Sequence, residues 1–331
     1  MAQKFLTFRA RILPIGLVLG ALTGAPLAAL AQGEYPSKAV RIVVPYAPGG
    51  AVDLVTRRIA QQLTEQTGSS FFVDNKPGGT GTIGITQVTR STADGHTLLT
   101  NDMTYAILPH VFSKLAWDYD RDLVPVAAFN FAPTAIVVAA DSRFKTLADL
   151  IAFGRANPGK LNYGTGGAGT MPHFSTEALK MAGKFDAVHV PFKGNGEATM
   201  ALLTNTIDFQ IASTAGVMGQ LNGGKVRLLA VSGMERLKVI PNVPTFAEAG
   251  LPTYSVVNFT GVWAPKGTSA AVVQRLEREL STAMKSSNMT EYADSIGALP
   301  TLVVGADFAQ LLKSRTQYWS AVATSAKVEK Q

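Results

Sequence analysis

The sequence has 331 residues, 47% hydrophobic and 16% charged, with a formal net charge of +7; this is the composition of a folded chain and not of a disordered one. The absence of cysteine excludes a disulfide scaffold, a zinc–thiolate site, an iron–sulfur cluster and a cysteine nucleophile. The four histidines, His96, His110, His173 and His189, follow no metal-ligand spacing, so neither a metal nor a cofactor is expected, and the length suggests two domains.

In chain order, the first feature is an export signal. Lys4, Arg9 and Arg11 precede an uncharged run from Ile12 to Leu30, which ends in Ala29-Leu30-Ala31. A basic start, an apolar stretch and an A-x-A site read as a secretory signal peptide over residues 1–31. Pro14, Gly16, Gly20 and Pro26 interrupt the run and make it a poor spanning helix. Its removal takes away three positive charges and no acid. The remaining balance is mild, without a basic stripe, so nucleic acid is not an expected partner. A modest positive charge does suit an acidic small molecule.

The rest alternates strands with helices. Val40–Val44 reads as a strand, the turn Tyr46–Gly50 follows, and Val55, Ile59 and Leu63 then repeat at helical spacing. Phe71–Val73 is a second strand and leads into the glycine-rich turn Pro77–Gly84; Thr97–Thr100 and Ala135–Ala140 are further strands. Thr146 is placed to cap a helix over Leu147–Gly154, stopped by Asn157-Pro158-Gly159. A short strand at Leu161–Tyr163 precedes the turn Gly164–Thr170, and Ala187–Val190 precedes Phe192–Gly196. Asp208–Ala212, Leu228–Val231 and Gly261–Ala264 complete the strands, and Thr268 or Ser269 caps a helix carrying Leu276, Leu280 and Met284. Strands rich in Val and Ile with helices between them imply sheets covered on both faces.

The glycine-rich turns carry the functional signal. Glycine lets backbone N–H groups approach a ligand, and the first turn of a helix offers unpaired N–H groups and positive dipole charge. Four such turns before helices point to an anion-binding cleft beyond the strand ends. Val44-Pro45-Tyr46 and Val190-Pro191-Phe192 echo one another, a sign of two similar halves. Gly79, Gly81, Gly84 and Gly164, Gly166, Gly169 both fit G-x-G-x-x-G, a spacing that alone does not make a dinucleotide site. Gly219 to Lys225 resembles a phosphate loop, but Val226 stands where the Ser or Thr is needed. No G-x-S-x-G is present, so a nucleophile elbow is not supported. His173 is open to two readings, as a base beside a glycine turn or as a packed residue. Lys193 faces either ligand or solvent.

Several segments together resemble the Bug-type periplasmic solute receptors of tripartite tricarboxylate transporters. They are Arg41-Ile42-Val43-Val44-Pro45-Tyr46-Ala47-Pro48-Gly49-Gly50 with Asp53; Asp74-Asn75-Lys76-Pro77-Gly78-Gly79; Asn157 to Gly164; Asn242 to Pro252; and Trp263 to Thr268. The resemblance implies an α/β, two-lobed periplasmic solute-binding protein (type II, Venus-flytrap), each lobe a sheet flanked by helices. Residues 32–133 plus 260–331 would form lobe one and 134–259 lobe two, with crossings near Ala132-Pro133 and Asn258-Phe259. It also implies that Tyr46, Ala47, Gly49, Gly50, Gly79, Thr80 and Gly81 surround one ligand carboxylate, with Thr104 beside them. Thr165, Gly166, Gly169, Thr170, His173, Phe192, Lys193 and Ser213 would close from lobe two. Asp53 is expected to cap its helix.

The implied function is that of a monomeric, non-enzymatic receptor. It would bind a small organic carboxylate in the periplasm and deliver it to the membrane subunits of a tripartite tricarboxylate-type transporter. The competing readings are an exported enzyme with His173 as base and a periplasmic sensory receptor. The chain departs from the family at Ala212, where relatives often carry Asp, and at Met103-Thr104-Tyr105-Ala106. With no acid expected there to pair an ammonium, and with Lys193, His173, Ser213 and Phe192 opposite, dicarboxylates or aromatic carboxylates are the expected ligands.

Overall fold

The structure is a computed structural model that describes residues 1–2, 35–254, 256–299, 301–326, 328 and 330. The export signal expected over residues 1–31 lies, after its first two residues, outside the described residues. The fold is that of the unit Tyr35–Gln331.

Strand β1 (Val40–Val44) is almost wholly apolar, and both its neighbours run parallel to it. These are β2 (Phe71–Asn75), with Val40 opposite Phe71, and β3 (Thr97–Asp102), with Ile42 opposite Leu98. Parallel pairing needs crossover helices, here α1 (Ala51–Thr67) and α2 (Thr82–Thr89). Helix α1 buries Val52, Val55, Ile59 and Leu63 along one stripe and stops at Gly68, whose φ is 72°, a left-handed end suited to glycine.

Beyond β3 the sheet turns antiparallel. Leu99 pairs with Trp263 of β9 (Val257–Pro265), and Val124 of β4 (Leu123–Ala139) pairs with Ala264. The short β10 (Val303–Val304) covers the other side of β4. Strand β4 serves two sheets: as far as Pro133 it pairs with β9, and from Thr134 it lies between β7 (Gln210–Ser213) and β8 (Val226–Val231). Strand β5 (Asn162–Thr165) runs parallel to β6 (Val188–Pro191), and Tyr163 bridges to Phe209 just before β7.

The remaining helices are α3 (Thr104–Val111), α4 (Leu147–Ala156), α5 (Met171–Gly183), α6 (Asn195–Leu203), α7 (Thr214–Asn222), α8 (Ala270–Met284), α9 (Ser287–Ile296) and α10 (Gly305–Ser325). Thr146 and Asp149 form a reciprocal capping box on α4, and the α8 cap is Ser269, while Thr268 donates to the Pro265 carbonyl at 2.7 Å.

Two apolar clusters divide along the strands. Ile42, Leu98, Ala135 and Ala264 belong to one, and Val43, Leu99, Ile136 and Trp263 to the other. Adjacent residues thus face opposite sides, and both sides are buried. Strand β4 is far longer than the expected Ala135–Ala140. Pro125 and Asn130 mask it in the sequence, yet each sits at a register shift, where the ladder does not need the missing N–H or the regular backbone. Asn130 has a φ of 51°.

Candidate functional site

The C-terminal ends of β1, β3 and β5 meet the starts of four helices around one small cavity. Tyr46, Gly50, Ala51, Val52, Asp53, Asp102, Thr104, Gly166, Thr170, Pro172 and Asn195 line it, and it holds about 20 Å³, room for about one water. Helices α1, α5 and α6 begin there at Ala51, Met171 and Asn195, and none is capped by the side chain of its preceding residue. Elsewhere α4, α8 and α9 are capped by Thr146, Ser269 and Ser286, while α2, α7 and α10 also start without a side-chain cap. Uncapped first turns concentrate N–H donors and positive dipole charge at one point.

The turn after β1 is fixed by Asp53. Its carboxylate accepts from Gly49 N at 2.9 Å and Asn75 Nδ2 at 2.9 Å, and pairs with Arg57 at 2.9 Å. Asn75 also donates to the Tyr46 carbonyl at 3.0 Å. Burial pushes the Asp53 pKa up, but Arg57, Gly49 and Asn75 outweigh it and hold the carboxyl below its usual value. Asp53 therefore closes the turn at the start of α1, and it also borders the cavity.

Its stabilisation is present above the unfolded carboxyl pKa and is lost as pH falls through the lower folded value. We expect Asp53→Asn to cost about 1–3 kcal/mol near neutral pH. In chemical denaturation the gap to wild type should narrow on acidification; a gap independent of pH would count against this account.

Strand β3 ends in a second polar cluster. Tyr46 Oη lies 2.7 Å from Asn101 Oδ1 and 3.2 Å from Asp102 Oδ1. Asp102 Oδ1 accepts from Thr104 N at 2.9 Å, and Asp102 Oδ2 accepts from Asn258 Nδ2 at 3.3 Å. Burial raises the Asp102 pKa, against hydrogen bonds from Thr104, Asn258 and Tyr46 that lower it, and burial also raises that of Tyr46.

Of the residues expected from the sequence, the cavity gathers Tyr46, Gly50, Thr104, Gly166 and Thr170. Others hold its rim. Thr80 donates to the Ala168 carbonyl at 2.6 Å, joining the turn that contains Gly79 and Gly81 to the turn after β5. Thr104 Oγ1 accepts from Met171 N at 3.0 Å, and Gly166 N donates to Asn195 Oδ1 at 2.8 Å. Ala47 packs against Gly194, with room for little more. Thr165 Oγ1 contacts His189 Nε2 at 2.6 Å.

His173 Nδ1 accepts from Gly169 N at 3.0 Å, and its ring stacks on His189 at 4.1 Å. Burial, with Lys180 nearby, lowers its pKa to about 4. It acts as a local hydrogen-bond acceptor and does not line the cavity.

Phe192, Lys193 and Ser213 do not line the cavity either. Lys193 is exposed and its N–H is held by Glu197, while Phe192 packs on an apolar cluster and Ser213 precedes α7. Ala212 is 3% exposed, pairs with Ala135 and faces the same cluster, so it is not part of the cavity wall. Two acids line the wall: the sequence singles out Asp53 only as a helix cap, and it singles out neither Asp102 nor Asn195. Their signals were an Asn-Asp pair closing the β3 run and the one amide within Phe192–Gly196.

Residues 55–327 match the tripartite tricarboxylate transporter family receptor, TctC. A UPF0065 protein from a tcbD–tcbE intergenic region of Pseudomonas sp. is 35% identical over 312 residues, covering 94% of this chain and 92% of the relative. The periplasmic binding protein BugD superimposes with a TM-score of 0.85 at 28% identity, over 90% of this chain and 100% of BugD. MatC of Rhodopseudomonas palustris, solved with bound malate, gives 0.81 at 30% identity over 87% of this chain and 99% of MatC. An R. palustris protein solved with adipate gives 0.86 at 29% identity, over 90% and 100%. The family is one of receptors and not of enzymes. The chain belongs to the Bug-type tripartite tricarboxylate transporter receptor family, TctC, and has its two-lobed α/β periplasmic solute-binding fold.

Proposed function

We propose that this chain is a monomeric periplasmic solute receptor, exported by the signal over residues 1–31, that binds a small organic carboxylate. It presents the ligand to the membrane subunits of a tripartite tricarboxylate-type transporter. The observation that carries this reading is the meeting of the uncapped starts of α1, α5 and α6 at one cavity, an arrangement suited to an anion. Dicarboxylates or aromatic carboxylates are the favoured ligands. The malate and adipate held by two relatives support the dicarboxylate.

The lobes divide as residues 32–133 plus 260–331 and 134–259. The exchange of partners along β4 at Pro133–Thr134 supports that division. A cavity with room for about one water does not admit a dicarboxylate as it stands, so uptake proceeds by parting the lobes and closing them again.

The test is calorimetry on the mature protein with a panel of mono-, di- and aromatic carboxylates and amino acids, followed by recovery of the ligand. We expect one or more amine-free acids to bind and to return unchanged. Turnover of a panel member, lost in His173→Ala, would favour the enzyme; no binding across the panel would remove the carboxylate reading.

A further inference from the structure

Asp102 is 3% exposed and lines the cavity. Asp53 lines it too, but Arg57 neutralises that charge at 2.9 Å. No lysine, arginine or histidine lines the cavity among the described residues, and every hydrogen-bond partner of Asp102 is uncharged. An ionised Asp102 would be a buried and uncompensated charge, which is costly.

The proton count points the same way. Asn101 Oδ1 accepts from Asp102 N at 2.7 Å, which fixes that amide's orientation. Its oxygen cannot donate, so the 2.7 Å contact with Tyr46 Oη consumes the one tyrosine proton. The longer 3.2 Å contact from Tyr46 Oη to Asp102 Oδ1 then carries only a minor share of that proton, so Tyr46 offers a charge on Asp102 little compensation. The Thr104 hydroxyl, the other donor nearby, lies against both Tyr46 and Asp102.

We propose that Asp102 sits in the cavity as a neutral carboxylic acid, and that it determines ligand charge class by admitting a dicarboxylate dianion and giving an ammonium group no counter-ion. This deepens the carboxylate reading and rests on it. The same side chain also accepts from Thr104 N at the start of α3, a local task that Asn at this position would perform equally.

A second negative charge near a neutral acid favours keeping its proton. Affinity for a dianion is therefore complete while Asp102 is protonated. It falls about tenfold per pH unit once pH rises through the Asp102 pKa of the free protein. The groups facing Asp102 from other elements do not blur this. Tyr46 is raised well above its ordinary value, Asn258 and Asn195 do not ionise, and Asp53 is held ionised. His173, one residue beyond Pro172, is lowered to about 4 and stays neutral.

The experiment is calorimetry with malate, adipate and glutamate on mature wild type and Asp102→Asn, between about pH 6 and pH 9, where the ligand carboxylates are already ionised. Wild type should bind a diacid with undiminished affinity while Asp102 keeps its proton and more weakly at any pH where it loses it, there with uptake of up to about one proton per ligand when two buffers of different ionisation enthalpy are compared. Asp102→Asn should bind as tightly as protonated wild type with a flat profile, and glutamate should be the weaker ligand for both.

Proton uptake on diacid binding is read on wild type alone and supports the proposal even if the variant does not fold. A flat wild-type profile without proton uptake, together with a diacid affinity that rises in Asp102→Asn, the mark of a carboxylate ionised throughout, would overturn the proposal. So would glutamate binding more tightly than both diacids and losing affinity in Asp102→Asn, the behaviour of an ionised Asp102 paired with an ammonium. Failure of all three ligands with wild type, while another amine-free carboxylate of the panel binds, would overturn the dicarboxylate assignment and leave the receptor reading standing. Failure of the whole panel would remove both.

Discussion

Gly166→Ala is expected to weaken carboxylate binding by at least about tenfold, or 1.4 kcal/mol, while the protein stays folded. A Cβ at Gly166 would lie 2.8 Å from both Asn195 N and Asn195 Oδ1 and 3.1 Å from Gly194 C. Two of these atoms are backbone, so the strain cannot be relieved by turning a flexible side chain. The turn after β5 and the turn before α6 must move apart, and both carry cavity residues. The existing bond from Gly166 N to Asn195 Oδ1 would be strained in the same movement.

Gly219→Ala is the control. Gly219 lies within α7 and outside the cavity lining, and a Cβ there would meet nothing within 4 Å. Its affinity should stay within about threefold of wild type, or 0.7 kcal/mol. Calorimetry with the strongest ligand of the panel, beside a thermal melt of each variant, makes the comparison. Equal behaviour of the two variants would mean that the approach of these turns does not control binding.

The legible parts of the sequence were those where local chemistry and tertiary packing agree. Val40–Val44 is apolar on both faces because helices cover both faces, so its composition alone marks it. The Val55, Ile59 and Leu63 spacing survives because α1 packs with one stripe. The four glycine-rich turns were visible because close backbone approach leaves few alternatives to glycine. Gly166 is the plainest case, with the Gly194–Asn195 peptide within 3.1 Å of where a Cβ would sit.

What was not legible depends on long-range geometry. Strand β4 contains Pro125, Asn130 and Pro133, residues that locally argue against a strand. Its neighbours β9, β7 and β8 supply the pairing that overrides them. The direction of a single side chain was also hidden. A one-residue step in β7 separates Ala212, in the apolar cluster, from Ser213 at the start of α7. Lys193 was a natural counter-ion from its place beside a glycine turn, yet it points to solvent. Asp102 lies two residues past the expected end of β3 and enters the site only because β3 continues beside β9 to Thr260.

Trp263→Ala is expected to be the most destabilising of these substitutions, at about 3–5 kcal/mol. The side chain is 1% exposed and packs between Tyr105 at 4.8 Å and Phe308 at 5.2 Å. Its bulk also explains Gly261, where a Cβ would lie 2.8 Å from the indole ring. The indole N–H is buried without a partner, so the native residue already carries an unpaired donor, a penalty of about 1–3 kcal/mol. Trp263→Phe removes that donor as well as some volume, and it should cost much less than Trp263→Ala, on the order of 1–2 kcal/mol. Denaturant midpoints at constant slope would measure both; equal costs would mean that packing of an aromatic ring is not what stabilises this position. Ligand affinity separates this position from Gly166. The start of α3 is held by Asp102 to Thr104 N and by Asn258 to Met103 N at 3.2 Å, bonds that do not pass through the indole. Folded Trp263→Phe should therefore bind its carboxylate within about threefold of wild type. A tenfold loss in this variant would show that the core behind Tyr105, and not the turns in front of it, sets the geometry of the cavity.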